Sequence, residues 1–240
     1  TDYAITSVEN RFDAIYIMDI EEKDDTNTFI TGSGEFANVT YTVSAFKDRN
    51  LDTSFAAAYF PDLNVKDPTT PSVSVQCPPS VAVLGAYALN DSIGYNWYAP
   101  AGTTRATFPD SVTSMVGGSL VMDNLDNLYD ADINPIKATG GDLCVWGQKT
   151  LLRGASALDR VNVRRLLIYI RRKVRDVARR IIFEPNRQET LDKFNALVSP
   201  ILQSIQERSG VDRYKVVIDA TTTTQADVEN NTIRGKIFIQ

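Results

Sequence analysis

The order of strand-like and helix-like segments is the feature that most constrains the fold of this chain. β-branched and aromatic residues are enriched at residues 12–20, 55–60 and 73–76, which predicts three buried strands. Apolar residues at helical spacing predict a helix over 38–47, and an alanine-rich run opened by two prolines predicts another over 81–90. Strands that alternate with helices favour an α/β layer with a mostly parallel sheet.

The region from 112 to 182 contains the strongest helical signal of the sequence. Residues 112–128 show only weak helical periodicity, and 143–147 is typical of a strand that follows a glycine turn. Residues 159–182 predict a long amphipathic helix, because their apolar residues fall within one narrow stripe. The stripe comprises Val163, Leu166, Leu167, Ile170, Val174, Val177 and Ile181.

A second helix is predicted to follow, with Asn186 and Glu189 in capping-box positions and Gly210 as its stop. Pro200 should kink this helix or split it in two.

Strands over 214–218 and 233–239 end the chain, so the C-terminal part is predicted to be an α+β unit. We place the domain boundary after residue 153, giving domains 1–153 and 154–240.

Composition excludes several classes of protein. The 240 residues contain no histidine, which excludes Ser-His-Asp and Cys-His catalysis and the HExxH zinc site. The longest apolar run, 81–89, is far shorter than the roughly 20 residues that cross a bilayer. We therefore expect a soluble protein with no catalytic residue, no cofactor and no membrane insertion. Because the chain starts without Met and stops just after a strand-like segment, we also expect an excised fragment.

Two other groups of residues favour structural roles. Cys77 and Cys144 lie in apolar, strand-like surroundings and are interpreted as core thiols, with a disulfide between them left open. An acidic cluster lacks the glycine and glutamate that a calcium loop needs, so a short amphipathic helix is favoured over a metal site. The cluster comprises Asp123, Asp126, Asp130 and Asp132.

Charge is sharply segregated along the sequence. Residues 160–180 hold eight arginines, one lysine and one acid, so this stretch carries +8 while the rest of the chain carries −13. Like charges four residues apart on a helix repel, and an acidic partner would relieve that repulsion. The candidate protein-interface residues are Arg164, Arg165, Arg171, Arg172, Lys173, Arg175, Arg179 and Arg180.

Local roles compete with the interface role at the start of this helix. Asn162 could make a helix-start hydrogen bond, and Arg164 and Arg165 could form ion pairs within the chain. We favour these local roles for the three residues. For the other basic residues, the alternative to an interface role is an ordinary solvent-exposed helix face that binds no partner.

Several motifs together resemble the tail sheath protein of contractile-tailed bacteriophages, the myovirus sheath subunit, as a protease-resistant type of fragment. They occur in the family's order and extend from residue 54 to the end of the chain. The motifs are FAAAYFPD (55–62), PPSVAVLGAYALND (78–91) continuing to Ala101, INPI (133–136) with LCVWGQKTL (143–151), DRVNVRRLLIYI (159–170), IFEPN (182–186) and YKVVID (214–219).

The resemblance implies a subtilisin-like mixed sheet with flanking helices, followed by an α+β C-terminal sheath domain that stops before its terminal arm. It also implies a structural, non-enzymatic subunit that assembles helically around a tail tube and contracts to drive the tube through the host envelope. Its implied partners are other sheath subunits, the tube protein, and the baseplate and tail terminator proteins. The implied location is the phage virion, with assembly in the host cytoplasm.

The same resemblance carries further expectations about this chain. Family members are joined by strands donated from extended termini, and without those arms the chain should be monomeric in solution. Pro200 departs from the family, whose helix is usually continuous. No small-molecule substrate and no direct nucleic-acid contact are expected.

Two other functions stay open. A nucleic-acid-binding module could use the arginine-rich helix, although the overall charge is negative and no recognised binding motif is present. A carboxylate-based hydrolase is the second alternative, and a cleft holding two carboxyl groups with raised pKa would support it.

Overall fold

The computed structural model describes residues 2–32, 35–70, 72–219 and 221–240. The chain separates into two compact units, Thr1–Arg165 and Leu166–Gln240. Each unit has its own helices and strands. The domain boundary that we place after residue 153 stays a prediction.

The first unit contains eleven α-helices and strands, a short 3-10 helix (Ala157–Asp159) and the beginning of one further α-helix among its described residues. In chain order the α-helices and strands are α1 (Asp2–Arg11), β1 (Tyr16–Asp19), α2 (Val39–Asp48), β2 (Ala56–Phe60), β3 (Leu63–Lys66), β4 (Ser74–Cys77), α3 (Pro79–Ile93), β5 (Val112–Met115), α4 (Met122–Asp130), β6 (Ile133–Thr139), β7 (Asp142–Val145) and the first residues of α5 (Val161–Ala178). The predicted strands at 55–60, 73–76 and 143–147 and the helices at 38–47 and 81–90 are confirmed in outline.

The main sheet of this unit has the order β1-β2-β6-β7. β1, β2 and β6 run parallel, and β7 pairs antiparallel with β6. The prediction of a mostly parallel sheet is therefore confirmed, and the fold is mixed α/β. A separate antiparallel sheet has the order β4-β3-β5.

Strand β2 lies at the centre of two hydrophobic clusters. Every residue of β2 is buried, and successive side chains alternate between the two faces of the sheet. Ala57 and Tyr59 face a cluster that includes α3, whereas Ala58 and Phe60 face one that includes α2 and α4. The three alanines of β2 let helices approach both faces closely. Burial of Phe60 contributes about 1.5–3 kcal/mol to stability.

Two elements of the main sheet differ from the sequence prediction. The strand predicted over 12–20 begins only at Tyr16, because Phe12 ends the unpredicted helix α1 with a left-handed backbone (φ 55). Strand β6 was not predicted, since Pro135 interrupts its pattern. Pro135 nevertheless pairs with Phe60 of β2, and its carbonyl accepts the backbone N–H of Trp146 at 2.8 Å.

A buried asparagine ties β6 to its neighbours. The Asn134 amide donates to the carbonyls of Ala58 at 3.0 Å and Lys149 at 2.8 Å, and its oxygen accepts the Lys149 N–H at 2.6 Å. Gly147 allows this close approach, because a Cβ there would lie 2.7 Å from the Asn134 side-chain oxygen.

The weakly helical region 112–128 is in fact a strand followed by a helix. Gly117 and Gly118 both adopt φ of 84 between β5 and α4, a conformation that glycine allows at little cost. The predicted amphipathic helix is confirmed as α4, which buries Leu125 and Leu128. Of the two cysteines, Cys144 is buried, Cys77 is half-buried, and both are free.

The second unit consists of the rest of α5, α6 (Gln188–Glu207), β8 (Tyr214–Val217), α7 (Gln225–Glu229) and β9 (Lys236–Ile239). β8 and β9 pair antiparallel, with Tyr214 opposite Ile239. Helix α5 is shorter than predicted at both ends: a 3-10 helix at Ala157–Asp159 precedes it, and the chain enters turns after Ala178.

Of the two predictions about α6, the capping box is wrong and the split at Pro200 does not occur, whereas the alternative of a kink at Pro200 stays a prediction. Asn186 and Glu189 form no capping box: the N-cap position is Arg187 without a side-chain hydrogen bond, and the Asn186 amide donates to the Thr232 carbonyl at 3.1 Å. Pro200 does not split the helix, which is continuous from Gln188 to Glu207. Pro200 lies on the exposed face, where water can solvate the carbonyl that loses its partner. The buried face holds the helix together through Leu191, Phe194, Val198, Leu202 and Ile205.

Candidate interaction surface

The first turn of α5 places Arg165 in an ion pair within the first unit. Its guanidinium donates to both carboxylate oxygens of Asp91 at 2.7 Å and lies 4.7 Å from the ring centre of Tyr87. Both hydrogen bonds come from one guanidinium nitrogen, Nη2, and the stacking of the planar group on the Tyr87 ring suits arginine rather than lysine. The favoured local role, an intrachain ion pair, is confirmed for Arg165.

A buried hydroxyl pair lies beneath this arginine. The Tyr59 and Tyr87 hydroxyls are 2.6 Å apart and hydrogen-bonded. Burial raises the pKa of Tyr87 to about 12 and raises that of Tyr59 well above its ordinary value. Both phenols are therefore neutral at physiological pH and act as a structural contact.

Arg164 and Asn162 are also engaged within the first unit. Arg164 is 8% exposed, donates to the Ser54 hydroxyl and stacks 3.9 Å from the ring centre of Phe55. It forms a cation–π contact and a hydrogen bond instead of the expected ion pair, and burial lowers the pKa of its guanidinium. The Asn162 amide donates to the Trp97 carbonyl at 3.3 Å, so its partner is a distant loop.

The remaining candidates form the basic surface of the second unit, which we define as Arg171, Arg172, Lys173, Arg175, Arg179 and Arg180. All are exposed except Arg175, which is half-buried. Lys173 lies 5.4 Å from the ring centre of Tyr169, and Arg179 is 3.6 Å from the exposed Asp176 carboxylate. Exposed contacts of this kind contribute little to stability.

Exposed apolar residues follow the basic surface directly. Ile182 is 69% exposed and Phe183 is 97% exposed. A cavity of about 640 Å³ lies beside them within the second unit, lined by the end of α5, Phe194 of α6 and the β8–β9 pair. Large exposed apolar side chains beside such a cavity are typical of protein-binding sites.

The first unit holds a paired-carboxylate cavity that sequence reasoning did not single out. Glu22 and Asp62 line a cavity of about 660 Å³. The Asp62 N–H donates to Glu22 Oε1 at 3.1 Å, and the Gln76 amide donates to Asp62 Oδ2 at 3.0 Å. Burial and the negative charge of Asp62 raise the pKa of Glu22 to about 7, and burial raises the pKa of Asp62.

The position of this pair could have been inferred from strand order. Glu22 follows β1 and Asp62 follows β2, and the carboxyl ends of parallel strands lie at one edge of a sheet. Asp19, at the end of β1, has a structural partner: it accepts from the N–H and the hydroxyl of Ser80 at 2.8 and 2.7 Å, in the first turn of α3.

Across the ranges that the structure describes, no group of three or more acidic, cysteine or histidine side chains is arranged to hold a metal ion. In the same ranges no helix combines the length and the apolar character needed to span a bilayer.

Comparison with known proteins shows what the chain is similar to. No protein-family profile matches it. It is 30% identical over 159 residues to the tail sheath protein of Vibrio phage KVP40, a match that covers 66% of this chain and 23% of that protein. It is 29% identical over 164 residues to the tail sheath protein of Enterobacteria phage T4, covering 68% and 25%. The chain is similar in sequence to phage tail sheath proteins over about two thirds of its length.

The chain spans about a quarter of the length of the two curated proteins that it matches. Its fold is also that of sheath-like chains. It superposes on a chain of the contracted sheath complex of an extracellular contractile injection system with a TM-score of 0.69 and 23% identity, covering 98% of this chain and 70% of that one. A chain of the contracted baseplate of the anti-feeding prophage gives 0.76 and 21%, covering 99% and 64%.

Proposed function

We propose that this chain is part of a structural subunit of a contractile tail sheath, which assembles helically around the tail tube and shortens to drive the tube through the host envelope. The observation that carries the proposal is its sequence identity to the two phage tail sheath proteins. Contraction would be a rigid-body movement of subunits, with the free energy stored in interfaces rather than in a chemical reaction. Electron microscopy of the intact gene product expressed alone should show tubular polymers.

The proposal extends to architecture. The three parallel strands of the main sheet, with α3 on one face and α2 and α4 on the other, support a subtilisin-like layer. The helices and the β8–β9 pair of the second unit support a C-terminal sheath domain, for which we keep the boundary after residue 153. Limited proteolysis with mass mapping tests the boundary, and resistance throughout residues 145–160 would contradict it.

The basic surface is proposed to contact the tube or an adjacent sheath subunit. Its positive charge is exposed, whereas Arg164 and Arg165 are already engaged in the first unit. Replacing Arg171, Arg172 and Arg175 with Glu should abolish sheath assembly around tubes while the protein stays folded. A matched control reverses three exposed charges elsewhere, Arg11, Lys66 and Arg213, and should assemble normally. Normal sheaths from the first variant would refute this role.

The β8–β9 pair is proposed to accept strands donated by neighbouring subunits. It has only two strands among the described residues, so each strand has an edge open to backbone pairing, and the apolar cavity lies beside it. The 240-residue chain by itself should sediment as a monomer at micromolar concentration. The proposed environment is the phage tail in the virion, assembled in the host cytoplasm, with baseplate and tail terminator proteins as further partners.

The proposed subunit is not an enzyme, but the Glu22–Asp62 cavity supports a second candidate, a carboxylate-based hydrolase. Two carboxyl groups with raised pKa in one cavity are the arrangement that acid–base catalysis requires. However, a backbone N–H of Asp62 and the Gln76 amide already occupy one oxygen of each group. Hydrolysis of chromogenic glycosides or esters that disappears in Glu22→Gln would establish the enzyme and overturn the structural proposal.

The exposed basic surface also supports a nucleic-acid-binding module as an alternative. Phosphate contacts give an affinity that falls steeply with salt, so filter binding across salt concentrations distinguishes the two functions. The sheath proposal expects no retention of DNA at low salt.

A further inference from the structure

The Glu22–Asp62 cavity lies where α/β proteins bind ligands. Asp19 of β1 stands opposite Tyr59 of β2, so the two parallel strands end at the same edge of the sheet. In open α/β sheets, the space beyond the carboxyl ends of the strands is the usual ligand-binding location. The volume of about 660 Å³ falls within the range of small-ligand sites.

The cavity is strongly negative. Glu22 is only 8% exposed, and Glu21 and Asp62 also line the cavity. A buried carboxylate is costly unless a cation or several donors compensate for its lost hydration. Each of Glu22 and Asp62 accepts a single neutral hydrogen bond, and in the described ranges no basic side chain pairs with either. A cation in the cavity would relieve this cost.

The charged groups around the pair do not supply that cation. Asp19 adds negative charge and is held by Ser80. Lys23, the adjacent base, donates to Asn27 at 2.9 Å and lies 4.7 Å from the ring centre of Phe29.

The walls indicate what kind of cation fits. Ile20, Phe29 and Ile30 give the cavity an apolar side, and the carboxylates give it an anionic side. The cavity is much larger than a bare metal ion needs, and the described residues contain no three-ligand metal cluster. An aliphatic stem that ends in a guanidinium matches both sides, because the planar group can bond two carboxylates at once.

We propose that this cavity binds an arginine side chain presented by a second copy of this chain. The chain itself carries suitable groups: Arg172 and Arg180 are exposed, and neither forms an ion pair within the described residues. The choice of a second copy rests on the proposed function, since a helical sheath repeats one subunit many times. Such a contact would join two copies through one buried arginine and would fix their relative position.

The first test uses a small probe on the whole 240-residue chain. Backbone NMR at pH 8 should show saturable shifts at residues 20–32, 62 and 76 on addition of N-acetyl-L-arginine amide. N-acetyl-L-citrulline amide, a neutral analogue of the same shape, should give none. Glu22→Gln should weaken arginine binding at least tenfold, and so should a change from pH 8 to pH 5.5, where Glu22 is protonated.

The first test has clear contrary outcomes. Absence of saturable shifts at pH 8, equal binding of the citrulline analogue, or unchanged binding to Glu22→Gln overturns the cation site. Circular dichroism checks that Glu22→Gln is folded. If that variant is unfolded, Asp62→Asn takes its place with the same expected loss.

The second test identifies the source of the arginine. Labelled chain is titrated with unlabelled wild type to millimolar concentration, and the cavity resonances should shift as they do with the probe. Unlabelled chain carrying Arg172→Gln, Lys173→Gln and Arg180→Gln should shift them at least fivefold less. No shift with wild type, alongside binding of the probe, overturns the second copy as occupant. Failure of the intact protein to form sheaths would instead overturn the proposed function, because the probe experiment does not depend on assembly.

Discussion

Helix α5 carries the same residue type in two contrasting environments. Arg164 and Arg165, in its first turn, are engaged by side chains of the first unit, whereas Arg172 and Lys173, two turns later, are exposed. A buried charge must keep its partners within the fold, because a buried charge without partners or hydration destabilises the protein. An exposed charge is free to serve a partner at little cost to stability. Burial, rather than residue type, therefore separates structural charges from interaction charges in this chain.

Glu22 should show the largest effect of a buried charge. Its pKa of about 7 lies above its ordinary value of 4.5, so the folded state binds more protons than the unfolded state between these two pH values. Stability should consequently fall as pH rises through this window, by about 3 kcal/mol in total. Urea unfolding from pH 4.5 to pH 8 measures the fall.

The matched control for Glu22 is an exposed acid. Glu22→Gln should flatten most of the pH dependence in this window, whereas Asp126→Asn, on the exposed face of α4, should leave it unchanged. An equally steep fall in Glu22→Gln would show that other groups cause it.

The buried and exposed residues of α5 also show which features of the structure can be predicted from the sequence and which cannot. The apolar stripe of α5 was predicted from spacing, and Leu166, Ile170, Val177 and Ile181 are indeed buried. Arg164 lies off that stripe, and its burial was not predictable from the helix alone. Its partners Ser54 and Phe55 are more than 100 residues away in the sequence and meet it only in the folded unit.

Long-range contacts explain the other omissions. Strand β6 was hidden by Pro135, because a proline within a run normally argues against a central strand. The Glu22–Asp62 pair was hidden among thirty acidic residues, since only the parallel register of β1 and β2 brings the two together. Local patterns thus predicted most elements, whereas the sites depend on which strand ends meet.

Arg164 gives the second largest expected effect. Arg164→Ala removes a buried stem, a cation–π contact with Phe55 and a hydrogen bond to Ser54. We expect a loss of about 2 kcal/mol in the free energy of unfolding. Arg172→Ala on the same helix has the same effect on helix propensity and should change stability by less than about 0.5 kcal/mol. Equal losses in chemical denaturation would remove the distinction between the two environments.

Arg165→Lys tests geometry at constant charge. Both hydrogen bonds to Asp91 come from one nitrogen, Nη2, so a lysine nitrogen could replace them. Lysine cannot reproduce the planar stacking on Tyr87, so the variant should lose about 1 kcal/mol. Arg180→Lys, an exposed control, should be neutral. Thermal unfolding of both variants at one pH measures the difference. A neutral Arg165→Lys would mean that charge alone, without the planar guanidinium, holds the first turn of α5.

The exposed pair of Asp176 and Arg179 should show the smallest effect. Its atoms are 3.6 Å apart and both side chains are largely solvated, so side-chain entropy and salt screening offset most of the attraction. Asp176→Asn should change the free energy of unfolding by less than about 0.5 kcal/mol. The same variant removes the acid that stands within the basic surface, so it should strengthen binding of an acidic partner and make that binding more sensitive to salt. A large loss of stability would show that the Asp176–Arg179 pair stabilises the fold. The exposed end of α5 would then have a structural role, and this would argue against its use as a partner-binding surface.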